Sequence, residues 1–174
     1  MDVVGFILAG GASQRMGEDK AAMFGGVTRL QRVLHEAGVQ RCVVLCGTSE
    51  RAALFEGEVM VDPEDVKGLH RLIPWARQSV NASMLLIPCD AFLLEADAVR
   101  WWVNEACLGG VPLDEQGKRQ LLFALIPEQH VFNTQAASVG ELLSGLPSID
   151  VGEHRAAFTN FNTRDDLREH QLEP

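Results

Sequence analysis

Val3-Val4-Gly5-Phe6-Ile7-Leu8 runs directly into Ala9-Gly10-Gly11-Ala12-Ser13, an uncharged apolar segment that closes on a cluster of very small residues. The first segment reads as a strand covered on both faces, because it is apolar throughout rather than alternating. The second lets backbone N–H groups come close to a ligand and cradle an anion. In open α/β sheets, ligands bind beyond the carboxyl ends of the strands. The sequence therefore predicts a binding loop at the end of the first strand.

Further along, short apolar runs rich in Val, Ile and Leu recur at Cys42 to Cys46, Val59 to Val61, Met84 to Ile87 and Leu121 to Leu125, with a weaker one at Ile149 to Val151. Helical spacing separates some of them. Thr28 to Ala37 aligns Leu30, Val33, Leu34 and Ala37 on one stripe, and Glu95 to Ala106 aligns Ala96, Val99, Trp102, Val103 and Ala106. Alternating strands and helices predict an α/β chain, a three-layer α/β/α sandwich around a mostly parallel sheet. No repeat or long Pro/Gly/Ser linker divides residues 1–174, so a single domain is expected. The charged stretch from Arg164 to Pro174 reads as a solvated final helix.

The 174 residues are 47% hydrophobic, enough for a sizeable core without staples, and carry a formal charge of -9. That acidity opposes a nucleic-acid partner, whose affinity rests on clustered Lys and Arg. No apolar stretch approaches the ~20 residues that span a bilayer. No secretory leader is read at the start, and the four cysteines lack a Cys-x-x-Cys pair. A cytoplasmic protein with reduced thiols and no membrane partner is expected. Cys42 and Cys46 read as small buried hydrophobes, and Trp75, Trp101 and Trp102 as core or half-core residues. The five histidines show no ligand spacing that would suggest zinc. No G-x-S-x-G elbow supports a serine hydrolase.

Arg15 and Lys20 follow the glycines closely and bring two cations to where a polyphosphate would lie. The spacing is neither G-x-x-x-x-G-K-[ST] nor G-x-G-x-x-G, so a P-loop and a dinucleotide-binding turn are excluded. As they stand, Leu8-Ala9-Gly10-Gly11-Ala12-Ser13-Gln14-Arg15-Met16-Gly17-Glu18-Asp19-Lys20 resemble the L-A-G-G-x-S-x-R-M-G-x-D-K signature of the molybdenum cofactor guanylyltransferase family. The resemblance implies a Rossmann-like sandwich of the nucleotide-diphospho-sugar transferase type. It also implies GTP rather than CTP, since Gly11 and Asp19-Lys20 look like the guanylyl version of the loop. Leu8, Ala9, Gly10, Gly11, Ser13, Lys20 and Thr48 would bind the nucleotide.

Three further segments gain meaning beside that resemblance. Asp90 ends the apolar run Met84-Leu85-Leu86-Ile87-Pro88-Cys89. On its own it reads equally as an N-cap or as a hard oxygen ligand for Mg²⁺, which is held by one or two carboxylates plus phosphates. Pro88-Cys89-Asp90 matches the family's magnesium-binding Pro-x-Asp, so the resemblance implies the ligand. Asp62 reads as a turn residue before Pro63 or as the family's nucleotide-contacting Asp. Ala157-Phe158-Thr159-Asn160-Phe161-Asn162-Thr163-Arg164-Asp165-Asp166-Leu167 looks like the family's pterin-side segment, in which Asn160 and Asn162 would touch substrate. A capping box of Thr163 and Asp166, with asparagines shaping the turn, explains the same residues.

The implied reaction joins GMP from GTP to the phosphate of the molybdenum-bearing pterin and releases pyrophosphate. The acceptor phosphate attacks the α-phosphorus, so catalysis is positioning and charge stabilisation. Arg15 and Lys20 would offset charge on the departing pyrophosphate, and Asp90 would hold Mg²⁺. GTP, the molybdopterin cofactor and molybdoenzyme maturation proteins are the partners implied. The chain departs from the family pattern at Val66-Lys67-Gly68-Leu69-His70-Arg71, where a Gly-Pro-Leu-x-Gly-like loop is usual. It departs again at Thr48 for Asn, Ala91-Phe92 for Thr-Pro and Arg164 for Pro. Another base or acceptor, or a non-catalytic role in molybdoenzyme maturation, are the alternatives.

Overall fold

Strand β1 (Val3–Leu8) is buried from end to end and lies at the centre of the main sheet. The computed structural model describes residues 2–11, 21–161 and 164–169. After β1 the described chain runs through α1 (Gly26–Glu36), β2 (Arg41–Gly47), α2 (Ser49–Ala52), β3 (Glu58–Val61), α3 (Leu69–Arg77), β4 (Ser83–Pro88) and α4 (Ala96–Glu105). It continues with β5 (Val111–Leu113), β6 (Leu125–Ile126), α5 (Val139–Leu142), β7 (Ser148–Asp150) and α6 (Arg164–Glu169). The sheet order is β3-β2-β1-β4-β6, parallel except for β6.

Alternation along β1 explains the three layers. Val3 and Ile7 face one side, where Val27, Leu30 and Leu34 of α1 and Val99 and Trp102 of α4 pack on them. Val4, Phe6 and Leu8 face the other, against Leu72, Ile73 and Ala76 of α3 and Leu142 of α5. Each such large side chain removed from water contributes about 1.5–3 kcal/mol before entropy is counted. Gly5 leaves room for α1, since a Cβ there would sit 2.8 Å from Leu34 Cδ1 and push that side chain aside. Trp102 is fully buried while Trp75 and Trp101 are half-buried, the core and half-core places expected of them.

Two expected strands are corrected. Within Leu121 to Leu125, residues Leu121–Phe123 form a 3-10 turn, and the strand that follows is β6, antiparallel to β4. The buried Trp102 indole N–H donates to the Phe123 carbonyl at 3.1 Å, which satisfies that oxygen within the turn. Apolar content alone does not separate a buried turn from a strand. The segment near Ile149 is β7, and it pairs with β5 in a separate two-stranded ribbon rather than with the main sheet. In the final helix, Leu167 is buried against Met23, Phe92 and Phe161, so one face of α6 is core rather than solvated. No described helix is long and apolar enough to cross a membrane.

Candidate functional site

The register of the sheet brings the carboxyl ends of three strands to one level, with Leu8 of β1 opposite Leu45 of β2 and Pro88 of β4. A cleft of about 380 Å³ opens there. Gly10 and Gly11 after β1, Pro88, Cys89 and Asp90 at the end of β4, and Asp62 after β3 line it. Val66, Gly68, Leu69 and Leu72 line it from the start of α3, with Leu122 and Asn160 completing the rim.

Gly10 fits because it has no side chain. A Cβ on it would lie 2.8 Å from the Cα and N of Gly47 and 3.2 Å from Asp62 Oδ2. Gly47, at φ 84°, ends β2 in the left-handed region that glycine adopts without strain. Its N–H donates to Asp62 Oδ1 at 3.2 Å, and the Asp62 N–H donates to its carbonyl at 2.9 Å. Burial raises the Asp62 carboxyl above its ordinary range, against the opposing pull of the Gly47 N–H. Asp62 is thus a carboxylate in a largely apolar cleft, suited to accept hydrogen bonds from a ligand's N–H groups.

Arg51 of α2 secures the same corner from behind. Its Nη2 donates to the Ala9 carbonyl at 2.9 Å and its Nε to the Cys46 carbonyl at 3.2 Å. The Ala9 N–H in turn donates to Leu45 O at 2.9 Å. The exits of β1 and β2 are therefore tied together just before the glycines. Arg51 was not singled out from the sequence, since a lone Arg on a short helix carries no motif.

Asp90 follows β4 and is only 6% exposed. Its position lines the cleft rather than capping a helix, since the N-cap of α4 is Glu95. Among the described residues no group of three or more His, Cys, Asp or Glu gathers to hold a metal by itself. Of the two carboxylates on the cleft, Asp90 is a hard oxygen donor of the kind that can hold Mg²⁺ together with water and substrate oxygens.

Of the sequence-predicted site residues, Leu8, Gly10, Gly11, Asp62, Asp90 and Asn160 converge on the cleft. Ala9 is buried behind it, and Thr48 is an exposed residue before α2 that does not line it. Ser13, Arg15, Lys20 and Asn162 lie outside the described residues, as does Thr163 of the expected capping box. Leu45, Leu69, Leu72 and Leu122 were missed; apolar residues at strand ends and helix starts carry no chemical signature, and only the parallel register could have pointed to Leu45.

A cleft of this kind, at the carboxyl edge of a parallel sheet and flanked by a glycine-rich turn and two carboxylates, is where open α/β sandwiches bind their ligands. The profile of the MobA-like NTP transferase domain matches residues 5–146, and the chain belongs to that family. It is 29% identical to the molybdenum cofactor guanylyltransferase of Cupriavidus metallidurans, over 99% of this chain and 96% of that protein. The crystal structure of molybdopterin-guanine dinucleotide biosynthesis protein A from Archaeoglobus fulgidus superposes with a TM-score of 0.67 at 19% identity, covering 95% of each chain. Bifunctional IspDF from Campylobacter jejuni superposes with a TM-score of 0.69 at 10% identity, over 99% of this chain and 55% of that one. These two structures share the fold, a mostly parallel central sheet between layers of helices.

Proposed function

We propose that this protein transfers GMP from GTP to the phosphate of the molybdenum-bearing pterin, with release of pyrophosphate, and that it requires Mg²⁺. The carrying observation is the meeting of Gly10, Gly11, Asp62, Asp90 and Asn160 on one cleft in a chain of this family. The curated relative named a molybdenum cofactor guanylyltransferase, aligned over nearly all of both chains, supports the choice of substrates.

Each residue has a physical part in the reaction. The Gly10-Gly11 turn presents backbone at the end of β1, where phosphates can approach without side-chain obstruction. Arg15 and Lys20, in the same loop by sequence, supply cationic charge for the departing pyrophosphate. The described lining carries Asp62 and Asp90 but no Lys or Arg, so a polyphosphate needs those loop cations and a metal to enter. Mg²⁺ held by Asp90 would neutralise phosphate charge when bound. Asp62 accepts from ring and exocyclic N–H groups of the base, and Asn160 orients the acceptor. The acceptor phosphate supplies the nucleophile, so no side chain has to form a covalent bond.

Val66 and Leu69, which line the cleft within the stretch where the chain departs from the usual family loop, favour a second reading with another base or acceptor. Calorimetric titration with GTP, CTP and ATP, each with and without Mg²⁺, separates the two. Selective, magnesium-enhanced GTP binding, followed by pyrophosphate release only when the pterin acceptor is added, supports the first. Preference for another nucleotide establishes the second, and no nucleotide binding overturns both.

A further inference from the structure

Two side chains that do not line the cleft converge on the turn that carries Asp90. From α1, Arg29 Nη1 donates to the Leu94 carbonyl at 2.8 Å and Nη2 to the Ala91 carbonyl at 2.5 Å. Inside the turn, the Ala91 N–H donates to Pro88 O at 3.1 Å and the Phe92 N–H to Asp90 O at 2.9 Å. The Leu94 N–H donates to the same Ala91 carbonyl at 3.2 Å, so that oxygen has a donor from the turn and one from α1.

On the other side the Phe92 ring lies between two others. Its centroid is 4.8 Å from Phe24 and 5.5 Å from Phe161. Phe161 is fully buried and adjoins Asn160; Phe24 precedes α1 and stands at φ 49°, the one non-glycine residue of positive φ among those described. A bulky residue in that region costs energy and persists where its surroundings hold it. The ring contact with Phe92 is such a hold. One side chain thus joins three segments, the lead-in to α1, the Asp90 turn and the segment of Asn160, of which the last two line the cleft.

We infer that Arg29 and Phe92 are positioning residues that hold the Asp90 carboxylate at the place set by the glycine loop, so that a metal-bound triphosphate meets both at once. The inference rests on the nucleotidyl-transfer reading above. Transfer of a phosphoryl-type group depends on placement to within about 0.5 Å, and a short turn held only by its own backbone bonds does not provide that. Neither residue touches substrate. Each acts through Asp90, as supporting partners do for ligand side chains elsewhere.

The test is calorimetric titration of GTP into wild type, Arg29→Met, Arg29→Lys and Phe92→Leu, once with EDTA and once with Mg²⁺, alongside thermal melts. Affinity in EDTA reports the glycine loop; the gain on adding Mg²⁺ reports Asp90. We expect Arg29→Met and Phe92→Leu to lose roughly 10-fold of the magnesium-dependent gain while keeping wild-type affinity in EDTA, and Arg29→Lys to recover part of it. Full retention of the magnesium gain in both variants overturns the inference. So does an equal loss with and without metal, which a purely structural role produces. If Arg29→Met does not fold, Phe92→Leu, which keeps apolar volume, decides alone. A wild-type protein with no magnesium gain overturns the metal reading itself, and the wild-type arm tells that failure from the other.

Discussion

Gly10 and Gly47 cross backbone to backbone, so closely that a Cβ on either would fall 2.8 Å from the other's Cα. The loop after β1 and the end of β2 can occupy this corner only while both residues lack side chains. Gly47→Ala adds left-handed backbone strain to that clash and should cost about 3 kcal/mol, lowering Tm by about 6–12 °C. Thermal unfolding followed by circular dichroism measures it, and an unchanged Tm would show that the crossing opens freely.

Gly11 sets the opposite expectation. Among the described residues a Cβ built there meets nothing within 4 Å, and Gly11 is exposed on the cleft wall. Gly11→Ala should melt with the wild type while weakening GTP binding roughly 10-fold, since the added methyl occupies space that a phosphate needs. Unaltered GTP affinity in that variant takes Gly11 away from the triphosphate.

Asp62 should leave a signature in pH. Burial raises its folded-state carboxyl above the unfolded value, so the contribution to stability is present below the unfolded value and lost as pH rises through the folded one. At neutral pH the charged form is a burden on the fold. Asp62→Asn should therefore raise Tm by about 2 °C near neutrality, with the difference vanishing in acid. The same variant should bind GTP more weakly, because the amide replaces one of the carboxylate's two acceptor oxygens with an NH₂ donor that opposes a ligand N–H. Melts across a pH series beside GTP titration check both halves.

Asp90→Asn preserves shape and removes the charge from the cleft. Magnesium-dependent pyrophosphate release should fall roughly 100-fold or more while the protein still melts cooperatively. Full turnover in that variant would remove Asp90 from the mechanism.

The thiols separate by surroundings. Burial, with Glu58 nearby, pushes Cys42 up to about 12, and burial beside Asp62 raises Cys46. Cys107 is exposed, and Cys89 is half-buried on the cleft wall. Iodoacetamide at about pH 8 should modify Cys107 first, Cys89 next, and Cys42 and Cys46 last, because the thiolate is the nucleophile. GTP should protect Cys89 alone. Peptide mapping by mass spectrometry reads the order, and alkylation of Cys42 as fast as Cys107 would contradict it.

Much of this was legible in the chain because the central strands are apolar on both faces. Val3 to Leu8 and Met84 to Ile87 read as buried parallel strands, and the structure extends the second by one residue at each end. Asp62 and Asp90 could be placed at strand ends for the same reason. Helix α3 was not read, since Pro74 lies inside it and proline ordinarily marks a helix start or break. The capping pair of α5 escaped as well: Ser138 Oγ accepts from the Glu141 N–H, and Glu141 Oε2 from the Ala137 N–H, a box only one turn long. Arg29 and Arg51 act on carbonyl oxygens brought close by the fold, and such partners leave no spacing in the sequence.

The parallel pairing of β1 with β4 matches Val3 to Ser83, and the cleft rim runs from Leu8 to Asn160. During synthesis the first strand must wait until Ser83 has been made before β4 exists as a neighbour, and the rim closes only after Asn160 has followed. Newly made fragments consequently have no means of sequestering nucleotide, and a chain cut short before residue 160 should be a folding failure rather than a weak enzyme.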